Sequence, residues 1–265
     1  MKVIVITGST RGIGYGLAEE FLKQGCAVAI SGRAAAAVEQ AVGRLAARRD
    51  PQRILGQPCD VTEFEQVQAL WAAAVQRFGR VDVWINNAGL AHPDIPFWEQ
   101  PPEVMRSVVE TNLIGMLYGC KVALMGLAAQ PGGGAVYNFE GFGSNGRARV
   151  GLGIYGSTKA AVRFFTRAVR LDARDLPVKI GTISPGMVTT DMLVGQYSGR
   201  PAAWQSAKRV FNILGERVET VAPFIVERVL RGELSIEWLT PAKIFVRFLT
   251  APFNKRDLFA PQAEA

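Results

Sequence analysis

"VIVITGSTRGIG", Val3 to Gly14, is the stretch on which the fold turns. The β-prone run Val3–Thr7 enters a loop with glycines at 8, 12 and 14, and the helical pattern "GIGYGLAEEFLKQG" continues to Gly25. Strand, glycine loop and helix in that order make a phosphate site. The glycines allow a tight turn and close backbone approach, and the helix N-terminus adds free N–H donors and the positive end of its dipole. The spacing is G-x-x-x-G-x-G, not the general G-x-G-x-x-G, so the glycines alone are a modest signal and their context carries the reading. The loop is therefore a dinucleotide site, with Gly8, Ser9, Arg11, Gly12, Ile13 and Gly14 as candidate contacts.

An NAD site holds the ribose 2′-OH with an Asp or Glu about 20 residues on, at the end of the second strand. That place reads "ISGRA", with Arg33 and no acid, and Arg11 stands inside the loop. Two guanidiniums suit a 2′-phosphate, which they grip bidentately, so NADPH is the expected cofactor. The alternative is that both arginines are simply solvated.

The pattern repeats outward. Strand-like runs recur at "AVAIS" (Ala27–Ser31), "RILGQPCD" (Arg53–Asp60), "VDVWINN" (Val81–Asn87), "GAVYNF" (Gly134–Phe139) and "VKIGTIS" (Val178–Ser184). They are apolar nearly throughout, as strands covered on both faces must be. Between them lie helices such as the one ending at Gly25, and "TEFEQVQALWAAAVQRFG", with Thr62 as N-cap, Glu65 three residues on and Gly79 at the end. Alternation of this kind predicts an α/β, Rossmann-like doubly wound parallel sheet in a single domain spanning 1–265. After Thr190 the pattern becomes helices around a short strand at Ser235–Leu239. Residues 1–190 read as the cofactor-binding and catalytic core, and 191–265 as a helical C-terminal cap on the substrate side.

The 265 residues are 49% hydrophobic and 20% charged, enough apolar side chain for a large core. The net charge of +7 is scattered and no nucleic-acid motif accompanies it, which favours an anionic cofactor or substrate over DNA or RNA. Cys26, Cys59 and Cys120 lack metal-ligand spacing and read as buried free thiols, so no metal site is expected. The single histidine, His92, reads as a plain loop residue. The first apolar run is a strand and not a signal peptide, and no apolar run approaches the ~18 residues of a membrane span. A cytoplasmic protein, or one peripheral to a membrane, is the expectation.

"YGSTK" places Tyr155 and Lys159 four apart on one helix face. Hydride addition to a carbonyl leaves negative charge on oxygen, which needs a proton. A phenol near pKa about 10 is a weak acid–base partner at neutrality, and a cation one turn away would lower it.

"TGSTRGIG", "CDV" at Asp60–Val61, "NNAG" at Asn86–Gly89, "TNLIG" around Asn112, "YGSTK" and "SPGMVTT" at Ser184–Thr190, in that order, resemble the short-chain dehydrogenase/reductases. The resemblance implies a seven-stranded parallel sheet and a homo-oligomer, dimer or tetramer. It implies adenine contacts from Asp60 and Val61, and cofactor contacts from Asn87, Ala88 and Gly89 beside the strand-stabilising Asn86. It implies that Asn112 holds a water against the lysine, that Tyr155 is the general acid/base, and that Lys159 binds the nicotinamide ribose. The carboxamide side would be held by Pro185, Gly186, Val188 and Thr190.

One stretch departs from the family. Its usual serine lies about 13 residues before the tyrosine, where this chain has Phe142; aligning the strand "VYNF" instead puts Glu140 and Gly141 there. Ser144 is the candidate hydroxyl, delivered by a glycine-bearing loop, while Glu140 either orients the substrate or is a structural carboxylate. "YNFEGFGSNG…YGSTKAA", with "FNILGERVETVAPFIVERVL", "WLTPAKIFVRFLTAPF" and "KRDLF", resembles the chlorophyll(ide) b reductase branch. That implies NADPH-dependent reduction of a 7-formyl group to 7-hydroxymethyl on a chlorophyll-type pigment. Trp204, Phe211, Trp238, Phe245, Phe248 and Phe253 then either line a wide apolar entrance or serve as core and oligomer contacts. "KIFVRFLTAPFNKR" mixes apolar and basic residues, a composition that fits docking on a membrane surface. The competing readings are a reductase of another aldehyde or ketone, and a non-catalytic NADPH-binding protein.

Overall fold

In the computed structural model, which describes residues 1–254 and 256–260, each strand faces two apolar layers. In chain order the elements are β1 (Val3–Ile6), α1 (Gly12–Lys23), β2 (Ala27–Gly32), α2 (Ala35–Ala46), β3 (Ile54–Pro58), α3 (Phe64–Phe78), β4 (Val83–Asn86), α4 (Pro102–Val109), α5 (Gly115–Ala129) and β5 (Gly134–Phe139). There follow α6 (Gly153–Asp172), β6 (Val178–Ser184), α7 (Asp191–Gly195), α8 (Pro201–Leu214), α9 (Val218–Arg231), β7 (Ser235–Glu237) and α10 (Pro241–Thr250). The seven strands pair in parallel in the order β3-β2-β1-β4-β5-β6-β7. The order reverses between β1 and β4, and a ligand crevice opens beyond the strand ends at such a point.

The period of two within each strand divides the core. Ile4 and Ile6 pack in one layer with Leu17 and Phe21 of α1 and Val221, Ile225 and Val229 of α9. Val5, between them, packs in the other layer with Val67 and Leu70 of α3 and Cys120 and Ala123 of α5. Burying side chains of this size contributes about 1.5–3 kcal/mol each, which is why both faces must be apolar. The three cysteines are free and buried in these layers.

Helix ends follow local chemistry with one exception. Gly25 and Gly79 adopt φ of +80° and +84° just past α1 and α3, a conformation that costs glycine nothing. Thr62, expected to cap α3, does not: its hydroxyl donates to Asp60 Oδ1 at 2.8 Å, and Glu63 takes the cap position without a side-chain bond. The charged acceptor two residues back outcompetes the backbone donors. The β3 run loses Arg53 at its start, where Pro51–Arg53 form a 3-10 turn, and ends at Pro58, before Cys59 and Asp60.

A π-turn at Glu110–Ile114 joins α4 to α5, so Pro102–Ala129 is one continuous helical rod, long and apolar enough by composition to cross a bilayer. This corrects the expectation that no segment reaches that length. Its Met116, Cys120, Val122, Ala123 and Leu127 pack against the sheet, as in a core helix.

The region after Thr190 is more than a cap. Helix α9 packs on α1, and β7 extends the sheet beside β6. Glu216 accepts from Arg247 of α10 and from Arg256, both at 2.7 Å, while its backbone N–H donates to Met187 O. The C-terminal segment is thereby tied to the loop after β6.

Candidate active site

A cleft of about 620 Å³ opens at the β1/β4 reversal. Of the predicted cofactor residues, Gly8, Arg11, Gly12, Ile13, Gly14, Arg33, Asp60, Val61, Asn87, Ala88, Gly89 and Thr190 line it. The glycines are required by crowding. A Cβ on Gly8, which has φ of +62°, would stand 2.7 Å from Ala88 Cα, and one on Gly14 would stand 2.7 Å from Gly8 O. Asn87 holds the loop from the next strand, donating through Nδ2 to the carbonyls of Thr7 (2.8 Å) and Gly8 (2.9 Å). This cradle fits a dinucleotide pyrophosphate, with Arg11 and Arg33 exposed at its outer end.

Six predicted cofactor residues lie outside the lining: Tyr155 and Lys159, which stand behind it, and Ser9, Pro185, Gly186 and Val188. Ser9 is fully buried, donating to Ile6 O at 2.6 Å and accepting from Ser31 N–H at 2.9 Å, so it braces β1 against β2. Pro185, Gly186 and Val188 are not among the lining residues; Val188 is buried and bridges to Glu216.

Three of the catalytic candidates, Asn112, Tyr155 and Lys159, stand directly behind the wall Gly89–His92. A Cβ on Gly89 would lie 3.4 Å from Asn112 Oδ1 and 3.9 Å from Lys159 Nζ. Asn112, at the π-turn, accepts from Leu90 N–H (2.7 Å) and donates to Leu90 O (2.9 Å), fixing that wall. Lys159 Nζ donates to Phe139 O at 3.0 Å and lies 5.7 Å from the centroid of the Tyr155 ring. A buried chain, Trp84 to Asn86 to Asn138 to Thr166, with links of 2.8, 2.8 and 3.0 Å, ties β4 and β5 to the helix α6 that carries Tyr155.

The electrostatics differ from the expectation. Burial pushes the Tyr155 phenol up to about 12, and no lowering by Lys159 offsets it. Burial pushes Lys159 down to about 8, against a smaller raising effect of Glu140. Desolvation penalises the charged form of each.

The departure from the family pattern has a clear geometry. Gly141 faces the Tyr155 hydroxyl: a Cβ there would collide with it and stand 3.1 Å from Tyr155 Cζ and 3.3 Å from Lys159 Cγ. Ser144 Oγ accepts from Gly141 N–H at 3.0 Å and lines a separate small polar cavity with Glu140, Arg163 and Glu237. Ser144, the candidate substrate hydroxyl of the sequence, has its Oγ turned back onto its own loop in this structure. Glu140 is buried beside Arg163 (3.7 Å), and desolvation raises its carboxyl above the usual range.

The aromatic side chains expected to line an entrance also lie elsewhere. Trp204 and Phe211 stack with Tyr197 and Phe259, and Trp238 meets Phe224 edge-on at 4.8 Å. Phe245, Phe248 and Phe253 are exposed, and none of the six lines the cleft. Sequence reasoning missed Thr10, Gly32, Ala34, Ala37, Cys59, Leu90, Ala91, His92, Pro93, Thr111, Asp191, Met192, Gly195 and Gln196, which do. Only the position of "SPGMVTT" before α7 hinted at the last four. His92 is 3% exposed and accepts from Tyr155 N–H, so it is no plain loop residue.

Residues 2–200 match the short chain dehydrogenase family. Over 251 residues the chain is 38% identical to chlorophyll(ide) b reductase NOL, chloroplastic, of Oryza sativa subsp. japonica, spanning 93% of this chain and 71% of that protein. It is 39% identical to the Arabidopsis thaliana protein of the same name, over 93% of this chain and 70% of that one. Among solved structures, the chain superposes on "ElxO with NADP Bound" with a TM-score of 0.79 and 26% identity, covering 92% and 99% of the two chains. The plant relatives are chloroplastic proteins, which overturns the expectation of a cytoplasmic one.

Proposed function

The chain belongs to the short chain dehydrogenase family, a carbonyl oxidoreductase family with a nicotinamide cofactor, and from that premise we propose that it reduces the 7-formyl group of a chlorophyll-type pigment to 7-hydroxymethyl using NADPH. The observation that carries this reading is the likeness to chlorophyll(ide) b reductases across 93% of the chain.

The chain's own groups support the chemistry. Gly8, Gly12, Gly14, Asn87 and Ala88 would hold the pyrophosphate portion, and Arg11 and Arg33 the 2′-phosphate. NADPH, when bound, supplies a hydride to the carbonyl carbon. Tyr155, with its phenol raised to about 12, keeps its proton at neutrality and is in the right state to donate it to the oxygen that gains charge. Lys159, at about 8, titrates near neutrality, as a group that returns that proton must. Asn112 holds the wall residue Leu90, and Ser144 braces Gly141 instead of touching substrate. The pigment approaches past Leu90–Pro93 and Met192–Gln196.

The same reading carries a homo-oligomer, for which exposed Met125 of α5 and Phe164 and Leu171 of α6 offer apolar contacts. It also carries membrane contact through exposed Phe245, Phe248 and Leu249 of α10; Lys255 of that stretch lies outside the described residues. Incubation with NADPH and chlorophyllide b, followed by absorption and chromatography, tests the substrate. The 7-hydroxymethyl product forms with the wild type and not with Tyr155→Phe. NADPH binding without product would move the activity to another aldehyde or ketone.

A further inference from the structure

The first turn of α6 lacks a cap of its own. Leu152 stands at its N-cap position and has no side-chain acceptor, and Gly151, Gly153 and Gly156 surround the start. Glycine is a poor helix former, and the first backbone N–H groups of any helix lack intrahelical partners. The third helical residue is Tyr155, and its N–H is the donor that a capping Ser, Thr, Asp or Asn would normally receive. Here that donor goes to Nε2 of His92, 63 residues away, at 3.2 Å.

The contact specifies the imidazole. To accept from Tyr155 N–H, Nε2 presents a lone pair and the ring proton stands on Nδ1, which then donates to Pro93 O at 2.9 Å, with Gln100 Nε2 3.0 Å from the same Nδ1. Gln100 pins the same carbonyl, donating through Nε2 to Pro93 O at 2.7 Å and to Ile95 O at 3.2 Å. His92, Gln100 and Asn112 are all buried, and His92 lines the cleft whose wall Asn112 fixes at Leu90. Asp94, two residues on, receives Arg149 Nη2 at 2.7 Å and donates its N–H to Gln196 O at 3.1 Å. The imidazole is thus held from both sides of the loop, and it meets α6 at the backbone of the very residue that carries the phenol.

We propose that His92 is a positioning residue for the reduction: through Nε2 it caps α6 at Tyr155 N–H and sets where the phenol stands behind the cleft wall. This rests on the reading of Tyr155 as proton donor. A histidine that merely filled the loop would require its shape but not its acceptor nitrogen.

The test compares wild type, His92→Leu and His92→Gln, the last of which keeps an acceptor oxygen. Amide hydrogen exchange, read by NMR, needs no substrate: Tyr155 N–H is protected in wild type and His92→Gln and exchanges at least about tenfold faster in His92→Leu. With chlorophyllide b and NADPH, kcat of His92→Leu falls at least about tenfold with KM changed less than about threefold, and His92→Gln recovers most of it. An unprotected Tyr155 amide in the wild type overturns the cap. Equal kcat in His92→Leu overturns the positioning role, and failure of Gln to rescue overturns the acceptor argument. If His92→Leu does not fold, the wild-type and His92→Gln protection still decide the cap. Wild type without turnover would count against the pigment reading, while the exchange data would still judge the cap.

Discussion

The Tyr155 hydroxyl occupies the volume that a side chain on Gly141 would need. The position that aligns with the family's serine is therefore filled by the tyrosine itself. Gly141→Ser would not restore a family site; it would push the phenol off its position. Its kcat is expected to fall at least about tenfold, or 1.4 kcal/mol in the barrier, with NADPH affinity unchanged by fluorescence titration. Ser144→Ala, which removes only a brace on Gly141 N–H, should lose less than about tenfold. The opposite ranking would return the substrate hydroxyl to Ser144.

Lys159 trades stability for chemistry. Its pKa falls from an ordinary 10.5 to about 8 on folding, so between those pH values the folded chain holds fewer protons than the unfolded one. Stability contributed by this group rises with pH across that window, and below it the whole cost of burying the ammonium stands, on the order of a few kcal/mol. Lys159→Met should lose at least about a hundredfold in turnover while its Tm at pH 7 equals or exceeds the wild type. The Tm gap should close as pH approaches 10. Scanning calorimetry across pH checks this, and a variant less stable at pH 7 would contradict it.

Arg11 and Arg33 both line the cleft, and the sequence at the end of β2 carries no acid. Hydrogen bonds to charged groups contribute about 1.5–3 kcal/mol each, so Arg11→Ala or Arg33→Ala should cut the NADPH over NADH preference in kcat/KM about tenfold. The double variant should approach equality. A wild type with equal kcat/KM for both cofactors would remove the 2′-phosphate argument.

Asn138 joins Asn86 to Thr166 in the dry interior behind the cleft. Asn138→Leu would leave the Asn86 amide N–H and its neighbours without partners, at about 2–4 kcal/mol. Urea unfolding should show that loss as a lower midpoint; an unchanged midpoint would mean that waters or rearrangement satisfy the network.

The strands and the glycine loop were legible because their signals are local: apolar runs, a glycine turn and a helix within one stretch of chain. The Tyr155–Lys159 pair was legible for the same reason. The directions of side chains were not. Ser144 turns back on Gly141 because the four-residue turn Gly141–Ser144 lets it, and no spacing in "EGFGS" says so. Thr62 prefers the Asp60 carboxylate to the helix it precedes, a competition between two plausible partners. The His92–Tyr155 contact joins segments far apart in the chain, and the shifted acidities of Tyr155 and Lys159 come from burial that only the assembled layers create. The aromatic run near the C-terminus has helical spacing whether it packs inward, stacks on Tyr197 or stays exposed. Compartment was least legible, since a strand at the start of a chain carries no information on where the protein resides.

Tracing the hydride tests the account most directly. The purified protein would be given NADPH deuterated at the transferring position together with chlorophyllide b, and the pigment analysed by mass spectrometry. The expected result is a 7-hydroxymethyl product carrying one deuterium on the former formyl carbon, absent with Tyr155→Phe. Unlabelled product, or labelled product formed equally by Tyr155→Phe, would contradict it.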